Sequence, residues 1–253
     1  MDNAADLSTF TRIIINNKSY VYNNGELILK TINKKVGFLL PVNKSISLSK
    51  NFISMELETR NINGILELYT VGIYDGETSI SFYLNDYKNT DEMLEESIKY
   101  LMKRKYDNYK IYLHNFSYFN GIFLLKILSN LSNNIRPIIR DGRLIDIRFN
   151  FNNNYNIYFR YSLLLLPSYL KKLANNFNVE NKGIFPYNFV NSNNLYYTGN
   201  ILDFKYFYNI SLDEYNLYCK SFIYKGKLWN LREESIKYCI KNCIIYYKIL
   251  DNF

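Results

Sequence analysis

The run Phe52 to Glu58, followed by Leu66 to Ile73 and Thr78 to Tyr83, constrains this chain most. Such closely spaced β-rich runs, with Asp75-Gly76 supplying turn chemistry, predict a central strand with antiparallel neighbours. Glu56 and Glu58 lie two positions apart in the otherwise apolar first run. Strand alternation sends both carboxylates to one face of the sheet. Acids on a strand face solvent by default, so this placement inside an apolar run singles out a candidate site.

Helical signals follow. Thr90 is expected to cap a helix with Asp91 and Glu92 in its first turn, a stripe of Leu94, Ile98 and Leu101, and a basic end at Lys103, Arg104 and Lys105. Lys110 to Leu113 reads as a strand. A helix starting near Phe119 buries Phe123, Leu124, Ile127 and Leu128. Residues 135 to 161 read as a strand pair around Asp141-Gly142, broken by a turn at Asn152-Asn153-Asn154, and Leu170 to Phe177 as a short helix after Pro167. Residues 178 to 228 read as a long loop with a short helix near Ser211 to Cys219. Asn230 caps the last helix, with Glu233 at capping-box spacing and Ile236, Cys239, Cys243, Ile244, Tyr247 and Leu250 as its stripe. This order predicts an α/β fold, a mixed sheet flanked by helices, over residues 51–253. Residues 1–50, with Arg12-Ile13-Ile14-Ile15, Leu27-Ile28-Leu29 and Gly37-Phe38-Leu39-Leu40, read as a small β-rich N-terminal extension.

At 253 residues and 48% hydrophobic, the chain can build a core without disulfides or a structural metal. Its 3 cysteines lack a paired zinc pattern, and Cys239 and Cys243, one helical turn apart, read as a core pair. No stretch reads as a signal peptide or a membrane span, so no membrane partner is expected. The 31 Lys and Arg against 23 Asp and Glu suit a polyanion partner, an excess that solubility also explains. The bias to Asn, Ile, Lys and Tyr matches AU-rich codons and points to an AT-rich organellar or plasmid-like genome.

Tyr238 and Asn242, four apart on the terminal helix, share a face and can lean over the acidic strand; Asn120, opening another helix, can complete the ring. Phosphodiester cleavage with two metal ions about 4 Å apart needs several carboxylates to hold them. Asparagine offers a neutral carbonyl oxygen and coordinates more weakly.

Glu56-Leu57-Glu58-Thr59, Asn115 with Phe119-Asn120, and Tyr238 with Asn242 resemble, in order, the three motifs of the 3′→5′ exonuclease domain of family B DNA polymerases, notably the protein-primed enzymes of linear mitochondrial plasmids. Glutamate stands in the first acidic place, and asparagines 120 and 242 stand where the family has aspartate. Further landmarks are Ser162-Leu163 through Ala174, led by Tyr161 instead of an acid, and Lys182-Gly183-Ile184-Phe185-Pro186-Tyr187 and Trp229-Asn230-Leu231. The resemblance implies a ribonuclease H-like fold and a degenerate catalytic set of Glu56, Glu58, Asn120, Tyr238 and Asn242. Glu56 and Glu58 would be vestigial ligands for Mg²⁺ or Mn²⁺. It implies contacts to the 3′ end of single-stranded DNA from Asn115, Phe119, Ser162, Leu163, Lys171 and Lys172, a mitochondrial location, and a chain that stops before the polymerase palm, which a separate module would supply.

His114 is expected to pack or hydrogen-bond beside the site. Tyr118, Phe119 and Tyr161 could stack on bases, although core packing explains most aromatic residues in a chain that is 17% aromatic. Lys171 and Lys172 also fit an ordinary solvated helix face. Three readings stand: a degenerate exonuclease that binds single-stranded DNA, a working Mg²⁺ or Mn²⁺ exonuclease, and a noncatalytic structural remnant.

Overall fold

The computed structural model describes residues 50–114, 121–132, 134–140, 142–151, 154–180, 182–190, 194–208, 210–223 and 226–253, together with the backbone of 11–15, 18–23 and 26–32. The expected strand at Gly37 to Leu40, the residues Asn115, Tyr118, Phe119 and Asn120, and the tips Asp141 and Asn152-Asn153 lie outside the described residues. The chain divides into two compact units, Met1–Ser49 and Lys50–Phe253. The first carries a three-stranded antiparallel sheet of β1 (Thr11–Ile15), β2 (Lys18–Asn23) and β3 (Glu26–Ile32).

The second unit is built on a seven-stranded sheet. Its strands are β4 (Phe52–Ile62), β5 (Ile65–Tyr74), β6 (Ser79–Tyr83), β7 (Tyr109–Leu113), β8 (Ile135–Arg140), β9 (Arg143–Phe151) and β10 (Tyr155–Tyr161), in the order β6-β5-β4-β7-β10-β9-β8. β4, β7 and β10 run parallel at the centre, and the remaining pairs are antiparallel, giving the expected mixed sheet. β4 runs past Glu58 because Asn63 and Gly64, at φ 52° and 86°, form a two-residue hairpin turn of the kind Asn-Gly favours.

Alternation sorts β4 by face. Ile53 and Met55 are fully buried, as are Val71 and, at 1% exposure, Ile73 on β5. Helices α1 (Thr90–Leu101) and α2 (Gly121–Leu131) contribute buried Leu94, Ile98, Leu101, Leu124 and Leu128 to the same core. Ser54, Glu56 and Glu58 take the other face, and the Ser54 hydroxyl donates to the carbonyl of Cys243 at 2.8 Å, fixing the long helix α5 (Leu231–Asn252) over them. Short helices α3 (Leu170–Asn176) and α4 (Leu212–Ile223) and a two-residue pairing of β11 (Thr198–Gly199) with β12 (Trp229–Asn230) complete the unit. No helix among the described residues is long and apolar enough to cross a membrane.

Several local expectations need correction. Asn89 caps α1, its side chain accepting from the Glu92 N–H at 2.9 Å, while Thr90 sits inside the helix and its hydroxyl donates to Leu68 O. The basic run 103–105 falls after the helix has ended at Leu101. On α5, Asn230 caps as expected, but the buried stripe includes Leu231, Ser235, Tyr238, Asn242, Tyr246 and Ile249 beside Cys239 and Cys243. Ile236, Ile244, Tyr247 and Leu250 are only half-buried. The polar Asn242 and Ser235 hid the true face, because hydropathy cannot flag a polar residue that the site buries. The short helix expected near Ser211 to Cys219 is α4, which extends to Ile223, and the long segment 178–228 that holds it packs Phe185, Val190, Leu195, Leu202 and Phe207 into the core.

Candidate functional site

The site forms where β4 passes under α5. Two features let the helix come close. Gly72, directly across from Glu56, has no side chain, and a Cβ there would stand 2.8 Å from Cys239 Sγ and 3.0 Å from Cys243 Sγ. The Cys239 thiol reaches the Glu56 carbonyl at 3.7 Å. This contact holds Tyr238 and Asn242 over the acidic strand.

Asn242, fully buried, donates from Nδ2 to Glu58 Oε1 at 3.2 Å. Its own Oδ1 is buried without a hydrogen-bond partner among the described residues. Burial pushes the Glu56 carboxyl up to about 8, assisted by the Glu58 charge and partly offset by Lys182. Burial also raises Glu58, against the opposing pull of Lys182 and the Asn242 amide. The pair therefore shares a site in which two full negative charges are disfavoured without a counter-cation.

Part of that countercharge comes from Lys182. Its ammonium lies 5.1 Å from the centre of the Tyr238 ring and 5.6 Å from that of Tyr187. Burial acts to lower its pKa, but Tyr187 and the two glutamates outweigh burial and raise it. The Tyr187 and Tyr238 hydroxyls hydrogen-bond to each other, and Tyr238 stacks on Phe185 at 4.8 Å. Burial first, then Glu58, raises the Tyr238 pKa well above the ordinary phenol value, so its hydroxyl keeps its proton. The landmark at 182–187 marks Lys182 and Tyr187 in the sequence without a chemical role. They lie in an irregular segment, where no periodicity says which way a side chain points.

His114 sits at the end of β7. Its Nε2 lies 2.7 Å from the Ser168 carbonyl, which can only accept, and its Nδ1 lies 3.2 Å from the Ser162 hydroxyl, which donates. Burial lowers its pKa, and the ring packs edge-on against Tyr246 at 5.5 Å. It packs and hydrogen-bonds beside the site, as expected, and burial favours its neutral form. Ser162 is fully buried behind it, Leu163 is half-buried against the core and Tyr161 is buried, whereas Lys171 and Lys172 are exposed on α3. The fold thus brings Glu56, Glu58, Tyr238 and Asn242 together and sets Lys171 and Lys172 on a separate, solvated helix.

A two-ion metal centre is poorly served by these donors. No group of three or more His, Cys, Asp or Glu side chains capable of holding a metal occurs among the described residues. An amide N–H occupies one oxygen of Glu58, and Lys182 already supplies positive charge. The Asn242 oxygen, without a hydrogen-bond partner among the described residues, is an additional neutral donor.

A family model described as DNA polymerase type B, organellar and viral, matches residues 100–253. A probable DNA polymerase of Neurospora intermedia is 34% identical over 98% of this chain and 29% of its own length. One of Ascobolus immersus is 32% identical over 100% of this chain and 22% of its own length. The chain thus spans less than a third of these curated relatives. Among solved structures, Phi29 DNA polymerase complexed with single-stranded DNA aligns with a TM-score of 0.48 at 18% identity, covering 79% of this chain and 30% of that one. The match over 100–253 covers most of the unit that carries the site, and on it the chain belongs to the type B DNA polymerases of organelles and viruses.

Proposed function

We propose that residues 51–253 are a ribonuclease H-like 3′→5′ exonuclease domain of a family B DNA polymerase that binds the 3′ end of single-stranded DNA without hydrolysing it. The observation that carries this reading is the Asn242 amide donating to Glu58, in place of a carboxylate that would share a cation with it. Glu56 and Glu58 then keep at most a weak site for one Mg²⁺ or Mn²⁺ ion. Lys182 and the protonated Tyr187 and Tyr238 are suited to hydrogen-bond and neutralise a terminal phosphate. Lys171 and Lys172, exposed on α3, and the expected contacts Asn115, Phe119, Ser162 and Leu163 complete the proposed DNA set. Ser162 acts on it through His114, since it offers no surface of its own. Polymerisation is not assigned to these residues, and the bias to amino acids with AU-rich codons supports a mitochondrial setting.

The test is degradation of labelled single-stranded DNA with Mg²⁺ and then Mn²⁺, alongside binding by anisotropy, for wild type and Asn120→Asp/Asn242→Asp. The expected result is salt-dependent binding by both proteins and cleavage by the variant alone. Efficient cleavage by the wild type overturns the inactive reading. A protein that neither binds nor cleaves is a structural remnant.

A further inference from the structure

The face that carries the carboxylates continues beyond the cover of α5, and there its chemistry changes sign. Register places Arg136 of β8 opposite Arg148 of β9, Arg148 opposite Tyr158 of β10, and Tyr158 opposite Lys110 of β7. Directly opposed residues share a face, so three cations and an aromatic ring form one row across four adjacent strands. With strands about 4.8 Å apart, the row is roughly 14 Å long.

Like charges directly opposite each other destabilise a sheet, yet Arg136 and Arg148 face each other with little compensation. Arg136 has no ion pair among the described residues. Arg148 reaches Asp146 only at 3.8 Å, and that carboxylate is engaged more closely by Arg160, at 3.1 Å. Both arginines are exposed and line a cleft of about 240 Å³ with Tyr158 and the asparagines Asn134, Asn150 and Asn156. Asn150 and Asn156 hydrogen-bond across the strands at 2.8 Å, which holds one wall of the cleft.

We infer that this row is a second binding surface for single-stranded DNA, one that grips phosphates through Arg136 and Arg148 and offers Tyr158 to a base, without needing a 3′ end. A polyanion relieves the opposed charges, and the forked donors of arginine suit phosphate oxygens. An aromatic platform beside a cationic track is the usual arrangement for sequence-tolerant binding of a single strand. This surface is independent of the carboxylate cleft and stands or falls separately from the 3′-end reading.

A circular single-stranded oligonucleotide, which has no 3′ end, isolates it. Binding is measured by anisotropy across a salt series for wild type, Arg136→Ala/Arg148→Ala, Arg136→Lys/Arg148→Lys and the control Lys88→Ala/Lys227→Ala, two exposed lysines elsewhere. Losing two phosphate contacts lowers the salt slope by about 1.4, which is roughly 25-fold in affinity at 0.1 M salt relative to an unchanged value at 1 M. The lysine variant, which keeps the charge, and the control are expected to stay within about threefold of wild type. The inference is overturned if the wild type ignores the circle, if the alanine pair binds it like wild type, or if the control loses as much. It is also overturned if the alanine pair weakens only linear DNA with a free 3′ end. The melting curve, read from the single buried tryptophan, Trp229, should not fall in the alanine pair, because removing opposed charges does not unfold a sheet edge.

Discussion

Gly72→Ala should lift the site apart from below. The added Cβ would meet Cys239 Sγ at 2.8 Å, Cys243 Sγ at 3.0 Å and the Cys239 backbone carbon at 3.4 Å. Cys239 and Cys243 are both fully buried, so neither thiol can swing into solvent, and α5 must rise or tilt. Overpacking of this kind costs typically 1–3 kcal/mol. For a unit of this size, about 2 kcal/mol lowers the melting temperature by roughly 4–8 °C. Trp229 reports the transition, since its indole is fully buried and donates to the Tyr218 hydroxyl at 2.7 Å. The cause is isolated by repeating the substitution in a Cys239→Ala background, where the closest clashing atom is gone. A coupling of at least about 1 kcal/mol is expected from the double-mutant cycle. A melting temperature within 1 °C of wild type for Gly72→Ala, or an unchanged cost in the Cys239→Ala background, refutes the account of α5 seated on Gly72.

Three further outcomes follow from the charges and caps. Glu56 has its folded-state pKa raised from 4.5 to about 8, so the folded state holds that proton more tightly; without added metal, stability should fall as pH rises from about 4.5 through 8, and Glu56→Gln should flatten the fall in a melting series from pH 5 to 9. Asp75 behaves oppositely. Burial alone would raise it, but Lys105, the Thr78 and Glu77 N–H groups and the Tyr106 hydroxyl hold it well below the ordinary 3.8, so its contribution is present above that value and lost as pH drops beneath it. Asp75→Asn should destabilise by about 1–3 kcal/mol at pH 7 in chemical denaturation and reduce the acid sensitivity. Asn230→Ala removes the acceptor for the Glu233 N–H and should cost about 1 kcal/mol, whereas Asn230→Ser should recover most of it.

Much of the framework is legible in the chain because its cues are local. Period-two alternation puts Glu56 and Glu58 on one face, i,i+4 spacing puts Tyr238 and Asn242 on another, and Asn230 announces the last helix. The helix α1 stripe at Leu94, Ile98 and Leu101 is equally local, although its cap falls one residue earlier than Thr90. The Asn63-Gly64 pair is an equally local hairpin cue, and it carries β4 beyond Glu58 to Ile62. Local cues failed where burial and polarity disagree. Asn242 lies on the buried face of α5, where its amide donates to Glu58, and Ser235 is buried on the same helix, so an apolar count points partly to the wrong face.

The chain's pattern determines by itself that a β-strand carries two acids on one face and that a capped helix brings a tyrosine and an asparagine to a common side. Only tertiary contact decides that the Asn242 amide meets Glu58, that Lys182 arrives from an irregular segment to supply positive charge, and that Tyr158 is set opposite Lys110. Those relations join residues far apart in the chain, and spacing carries no information about them. They follow from how closely α5 can approach a glycine on β5 and from the register in which β7 and β10 pair.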